Sequence, residues 1–308
     1  LRWVLIYNPV SGTARPQRRQ QVEAAARALQ HAGNEVEIVA TTAAGWASAQ
    51  TRDAVAAGTD VLFACGGDGT VHEVVQGLVS GGERTASLGI IPMGSENALA
   101  RHLKLSLDPS KAALQQIRSQ ARSIPIGKIT FGHQMRFFIV MAGAGPDGAL
   151  VYSLLSGEKA RLGRLAYSLH AARLFAMRSF RPFEVEYVEA RSGAVRTARA
   201  VSAMAVRVRN LGGIFGGLTD RKASLEQDFL NLVILRPPGR AALPAWFAAG
   251  WLGLHRWNPL HLVVKAEQFS CRPLEEDKVD FQADGEWVGR IPMEVSLVPG
   301  ALRLLVPG

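Results

Sequence analysis

The sequence predicts an α/β protein: an N-terminal doubly wound parallel α/β domain and a second, β-rich, sandwich-like domain. Three observations carry this. Strand and helix periods alternate through the first third of the chain. From about Ile126 the pattern changes to a succession of strands. The length, 308 residues, at roughly 150 per domain is enough for two separate cores.

Trp3 to Tyr7 reads as a buried strand, and Gln17 to His31 as a helix with Val22, Ala25, Ala26 and Leu29 on one face. Glu35 to Ala40 is a strand, Ala47 to Ala57 a helix, and Asp60 to Ala64 a nearly unbroken apolar strand. A helix over Thr70 to Val79, a strand over Ser87 to Ile91 and helices over Glu96 to Leu103 and Pro109 to Ser119 complete the series. Such alternation requires parallel pairing through right-handed crossovers. The later strands are Ile129 to Ala142, Phe183 to Tyr187, Ala198 to Val208, Leu230 to Leu235, His261 to Lys265, Val279 to Ala283 and Glu294 to Val298. One long helical pattern, Arg161 to Arg178, interrupts them. The boundary is expected near Ser123 to Gly127.

Composition narrows the classes further. Hydrophobic residues at 48% and charged residues at 20% exclude a disordered or coiled-coil chain. The two cysteines, Cys65 and Cys271, are too few for a disulfide framework and wrongly spaced for zinc, which implies a reducing compartment. The longest apolar stretch, Ala241 to Leu254, holds Pro244 and two glycines, so no spanning helix is expected. Lys and Arg outnumber Asp and Glu by 35 to 26, a net charge of +9 that attracts polyanions. No nucleic-acid-binding motif accompanies that charge, and nucleic acid is not an expected partner.

The sharpest motif is Gly66-Gly67-Asp68-Gly69-Thr70, directly after an apolar strand and directly before a helix. Backbone N–H groups at a helix N-terminus form an anion site, and glycines let phosphate oxygens reach them. Thr70 can donate its hydroxyl, and Asp68 can hold a metal through water. Two further loops follow strands of the same sheet: Asn8-Pro9-Val10-Ser11-Gly12, and Pro92-Met93-Gly94-Ser95-Glu96-Asn97. Each alone is an ordinary turn. Together, at the carboxyl ends of parallel strands, they favour a phosphate cleft.

These residues resemble the diacylglycerol kinase catalytic-domain family, which includes bacterial lipid kinases and sphingosine kinases. The likeness rests on Asn8-Pro-x-Ser-Gly12, on Gly66-Gly-Asp-Gly-Thr70 followed by His72-Glu73-Val74-Val75, on Pro92-Met-Gly-Ser95 with Asn97-Ala98-Leu99-Ala100-Arg101, and on Asp284-Gly285-Glu286. The resemblance implies ATP against Asn8, Pro9, Val10, Ser11 and Gly12, against Thr41, against Gly66 through Val71 and His72, and against Gly94, Ser95 and Asn97. It implies Mg²⁺ at Asp68. It also implies that residues 1–125, with 295–308 a candidate addition, form a nucleotide-binding kinase domain, and that 126–294 form a β-rich lipid-substrate domain.

Asp284-Gly285-Glu286 by itself reads as a two-carboxylate turn, which a solvated hairpin tip also explains. Phosphoryl transfer to an alcohol needs a carboxylate to orient or deprotonate the hydroxyl. The family places its proton acceptor here, which makes Glu286 the expected acceptor, with Asp284 orienting the hydroxyl or sharing the role. Three positions depart from many bacterial relatives. Ala98 and Pro125 stand where those carry acids, and Gln227-Asp228 stands where they read Asp-Gly and hold a structural magnesium.

The resemblance implies an ATP- and Mg²⁺-dependent lipid kinase acting on a hydroxyl of a diacylglycerol-like or long-chain-base lipid. It would be cytoplasmic and peripherally associated with an anionic membrane surface, with a homodimer left open. Arg161, Arg164 and Arg173 with Lys159 and Arg181, and Trp246, Phe247, Trp251 and Trp257, are the candidate surface groups; core packing accounts for them equally. The histidines, among them His72, His102 and His255, form no ligand-spaced pair. The alternatives are an NAD kinase-like phosphotransferase and a catalytically silent lipid- or nucleotide-binding protein.

Overall fold

The computed structural model describes residues 1–9, 15–43, 45–80, 86–145, 181–209, 223–237, 261–276 and 278–307. The helix expected over Arg161 to Arg178, the aromatic residues Trp246, Phe247, Trp251 and Trp257, and the loop residues Val10, Ser11 and Gly12 lie outside the described residues.

A parallel strand covered on both faces must be apolar at every position, not at alternate ones. Three strands meet that condition. β1 (Arg2–Tyr7) is buried from Trp3 onward, and β3 (Val61–Gly66) and β4 (Ser87–Pro92) are buried throughout. β2 (Glu35–Ala40) lies at the edge and is largely exposed. The strands run parallel in the order β4-β3-β1-β2. Their register sets Ile91, Cys65, Tyr7 and Ala40 side by side, so four strands end level and four loops leave from one edge.

Helices cover the faces. α1 (Arg15–His31) buries Val22, Ala25, Ala26 and Leu29 against Trp3, Leu5, Tyr7 and Phe63, with Ala113 of α5 (Pro109–Ile117) in the same cluster. Val4 and Ile6 point the other way and are also buried; α2 (Trp46–Ala56) and α3 (Asp68–Val79) pack together there. Gly77 allows this packing, because a Cβ on it would come within 2.5 Å of the Ser48 carbonyl. A short helix, α4 (Ala98–His102), follows β4. α5 starts with Asp108 accepting from the Lys111 N–H at 2.8 Å and Pro109 in the first turn. Gln116 then acts as a surrogate strand. Its Oε1 accepts from the Ile90 N–H at 2.8 Å and its Nε2 donates to the Ile90 carbonyl at 2.6 Å.

The chain divides into two units, Leu1–Ile126 with Val298–Gly308, and Gly127–Leu297. In the second unit β7 (Met141–Ala144), β10 (Ser202–Val206), β11 (Leu230–Leu235), β12 (His261–Pro273) and β8 (Phe183–Glu189) pair antiparallel in that order, and β9 (Val195–Ala200) pairs with β8. β13 (Asp280–Ala283) lies against β7 and forms a hairpin with β14 (Glu286–Arg290). The core holds Phe138, Phe183, Leu232, Phe269, Phe281 and Met293. β15 (Met293–Val306) begins against β12, and its Arg303 and Leu304 pair in parallel with β4 in the first unit.

The mixed α/β class with a parallel sheet core and a β-rich C-terminal part is as the sequence predicts. Local limits differ in two places. The single strand expected over Ile129 to Ala142 is a hairpin, β5 (Gln120–Phe131) and β6 (Gln134–Phe138), followed by β7; Gly132 supplies the positive φ of 55° that the turn needs. The single strand expected over Ala198 to Val208 is two, β9 and β10. The boundary expected near Ser123 to Gly127 coincides with the division of the units between Ile126 and Gly127, with β5 running through it. No described helix is long and apolar enough to cross a membrane.

Replacing Gln116 by Leu leaves two buried backbone groups of β4 without partners and should cost about 2–4 kcal/mol, read as a lowered melting temperature.

Candidate active site

The level strand ends place Asn8, Thr41, Gly66 to Thr70 and Met93 to Asn97 on one edge of the first unit. The Thr41 N–H donates to the Tyr7 carbonyl at 2.8 Å, which ties the loop after β2 to the end of β1. After β3 the chain turns at Gly67 and enters α3 at Asp68. Gly67, Asp68 and Gly69 are half-open to solvent, while Thr70 and His72 are buried. A side chain on Gly66 would strike that of Thr70.

The two glycine turns lock together. The Met93 N–H donates to the Gly66 carbonyl at 2.9 Å, and a Cβ on Gly94 would lie 2.5 Å from the Gly67 Cα. Asn97, in the left-handed region at φ 50°, closes its own turn: Oδ1 accepts from the Gly94 N–H and Nδ2 donates to the Gly94 carbonyl, both at 2.8 Å. Asp68 completes the link. Its Oδ1 accepts from the Ala98 N–H at 2.8 Å, capping α4. The buried residue at 98 thus takes part through its backbone, where an acidic side chain was the family expectation. The carboxylate of Asp68, oriented by this bond and half-open to solvent, suits a hydrated cation beside a phosphate. Ser95 is exposed on the same turn.

Two residues to which sequence reasoning assigned no role of their own support this edge. Glu73, on α3, accepts from the Ala47 N–H at 3.2 Å and so caps α2. Arg18, on α1, donates from Nη2 to the Met93 carbonyl at 2.9 Å. A cap contributed by a distant helix leaves no local sequence signature.

The second motif lies in the other unit. Ala283 pairs with Glu286, and the two residues between them have positive φ, 50° at Asp284 and 83° at Gly285. That is a type I′ hairpin turn, for which Asp-Gly is a preferred pair. Its two carboxylates have different surroundings. Asp284 is buried: Oδ1 accepts from the N–H groups of Val140 at 2.8 Å and Met141 at 3.0 Å, and Oδ2 from that of Ile139 at 3.0 Å. Gln282 steadies the turn by accepting from the Gly285 N–H at 2.9 Å. Glu286 is only half-buried at the start of β14. Arg207 is buried nearby, donating from Nη2 to the Leu225 carbonyl at 2.8 Å. Burial pushes its guanidinium down to about 10, against the opposing pull of the Asp284 charge.

The turn after Ser224 does not fit a structural cation. Gln227 Oε1 accepts from the Ser224 N–H at 3.3 Å and from Asn231 Nδ2 at 3.2 Å, so two positive N–H dipoles point at the oxygen that would ligate a metal. Among the described residues no cluster of three His, Cys, Asp or Glu is placed to hold one.

With this geometry in hand, comparisons with known proteins are informative. Residues 2–129 match the family described as the Diacylglycerol kinase catalytic domain, and residues 140–306 match the YegS C-terminal NAD kinase beta sandwich-like domain. A diacylglycerol kinase of Bacillus subtilis (strain 168) is 32% identical over 305 residues, covering 98% of this chain and 95% of the relative. One from Staphylococcus aureus (strain MRSA252) is 28% identical over 288 residues, covering 94% of this chain and 87% of the relative. A crystal structure from Bacillus anthracis (strain Sterne), assigned as a diacylglycerol kinase, superposes with a TM-score of 0.77 at 22% identity, covering 99% of this chain and 95% of the other. That last likeness concerns the fold.

Gly94→Ala should drive the two glycine turns apart and lower turnover at least ~10-fold, because small misplacements of positioning groups are expensive. Gln227→Asp should create a cation-dependent turn: its melting temperature rises with added Mg²⁺ or Ca²⁺, while that of the parent protein, measured without nucleotide, does not respond to chelator.

Proposed function

The chain belongs to the diacylglycerol kinase catalytic-domain family, and from that premise we propose that it transfers the terminal phosphoryl group of ATP to a hydroxyl of a diacylglycerol-like or long-chain-base lipid. One observation carries the reading. Two glycine turns, held together by Met93 on Gly66 and Asp68 on Ala98, present backbone N–H groups and a helix N-terminus at the level end of a parallel sheet. That is an arrangement for gripping phosphates.

The residues divide the work by environment. Gly67, Gly69 and the first amides of α3 take the phosphate oxygens, with Asn8, Thr41 and Ser95 flanking them and the Asn8 to Gly12 loop contributing as the family resemblance implies. Asp68 would hold Mg²⁺, which would offset the charge of the phosphates. Glu286 accepts the proton of the lipid hydroxyl as its oxygen bonds to the γ-phosphorus and the bond to the leaving ADP oxygen breaks. Asp284 is a positioning residue in this scheme. Both of its oxygens are already engaged, accepting three backbone N–H bonds from Ile139, Val140 and Met141. Its task is to fasten the turn that presents Glu286.

The net charge of +9 supports peripheral docking on an anionic membrane, where the lipid acceptor resides. A second copy of the chain is a further candidate partner.

Labelled-ATP transfer to a panel of lipids in mixed micelles tests the proposal. A phosphorylated lipid is the expected product; label on NAD alone, or nucleotide binding without transfer, would replace the reading by its alternatives. Asp68→Ala and Glu286→Gln should each lower turnover at least ~10²-fold, in line with loss of a charge-stabilising or acid–base group. Glu286→Gln should leave the melting temperature unchanged, whereas Asp284→Ala should lower it as well as turnover. Full activity in Glu286→Gln would remove the assigned acceptor.

A further inference from the structure

Arg18 is a cation at this edge that the functional scheme leaves unused, and its surroundings are unusual. The residue is 2% exposed, in the first turns of α1. Its Nη2 reaches the Met93 carbonyl, while Nε and Nη1 are buried with no hydrogen-bond partner. No carboxylate among the described residues pairs with it. The next residue shows the contrast: Arg19 is exposed and bonds Glu23 at 2.8 Å, one turn along the helix. Burial presses the Arg18 guanidinium downward from its ordinary range, which is the signature of a charge without a counter-charge. Arginine does not escape such a position by losing its proton. A buried positive charge with two unused donors is costly unless something anionic completes it.

The location names the anion. Met93, which Arg18 holds by its carbonyl, donates its own N–H to Gly66, and the neighbouring Gly94 touches Gly67. Arg18 is therefore fastened to the glycine turns, which are half-open to solvent at Gly67 to Gly69. We propose that Arg18 is a positioning residue for polyphosphate binding: it fixes the Met93-Gly94 turn, and the phosphates of the bound nucleotide supply the negative charge it lacks. This inference rests on the nucleotide-binding reading of the edge. It predicts a contribution proportional to phosphate charge, with none for the nucleoside part of the ligand.

Titration calorimetry with adenosine, ADP and ATP, on the parent protein and on Arg18→Met, reads this directly. In Arg18→Met, affinity for ADP should fall about 10-fold and for ATP more, with adenosine altered by less than about 2-fold, as loss of one charge partner requires. Arg18→Lys keeps the charge and loses the planar fork, so ADP binding should weaken by only about 3-fold. Steady-state kinetics should follow, with KM for ATP rising more than kcat falls. An equal loss for adenosine and ADP would make Arg18 a plain structural prop, and unchanged ADP affinity would also overturn the proposal. If Arg18→Met does not fold, Arg18→Lys decides by the same comparison of adenosine with ADP. Absence of ADP and ATP binding to the parent protein would overturn the nucleotide reading itself, a result seen before any variant is made.

Discussion

The first unit depends on a backbone contact that only glycine permits. Gly67 and Gly94 approach so closely that a methyl group on Gly94 would collide with the Cα of its neighbour, and no adjustment of a flexible side chain relieves a clash between backbones. Around that contact the hydrogen bond from Met93 to Gly66, that from Ala98 to Asp68 and the two between Asn97 and Gly94 hold two turns as one body. A helix N-terminus binds anions weakly if it moves. Here it is braced by a second turn, which is in turn gripped from α1 by Arg18. Preorganisation of this kind lets fixed dipoles act on phosphate without reorganising at the moment of transfer.

In the second unit one tight turn carries two carboxylates with opposite environments. Three backbone amides and a nearby buried arginine account for Asp284, so its charge is spent on holding the turn. Glu286, two residues on, is half-buried at the start of β14. The distinction is electrostatic. The oxygens of Asp284 are taken up by N–H donors, whereas Glu286 stands at the start of a strand and is partly open to solvent. The Gln227 turn follows the same logic, since a neutral amide bonded to Ser224 and Asn231 performs by hydrogen bonding what a cation performs with carboxylates.

Much of this sheet edge is readable from residues alone, because strand-glycine-helix junctions are local. The apolar runs at Trp3 to Tyr7, Asp60 to Ala64 and Ser87 to Ile91 announced buried parallel strands, and the turn residues after them announced the edge. The turn at Gly132 does not stand out within the strand-like run Ile129 to Ala142, because a single glycine there is as compatible with a bulge as with a turn. The change of texture at Ser123 to Gly127 marks where the two units divide, between Ile126 and Gly127, even though β5 carries the backbone through without a break.

Periodicity and turn chemistry by themselves determined the α/β class, the helix faces, the glycine turns and the Asp-Gly hairpin, since each depends on the conformational preferences of neighbouring residues. Tertiary structure alone decided which residues support them. Arg18 meeting Met93, Glu73 capping α2, Gln116 pairing with Ile90 and Asp284 gathering the amides of Ile139 to Met141 all join groups distant along the chain. Nothing in the local composition encodes those meetings. They arise because a buried polar group must find a partner, and only the folded arrangement determines which one is within reach.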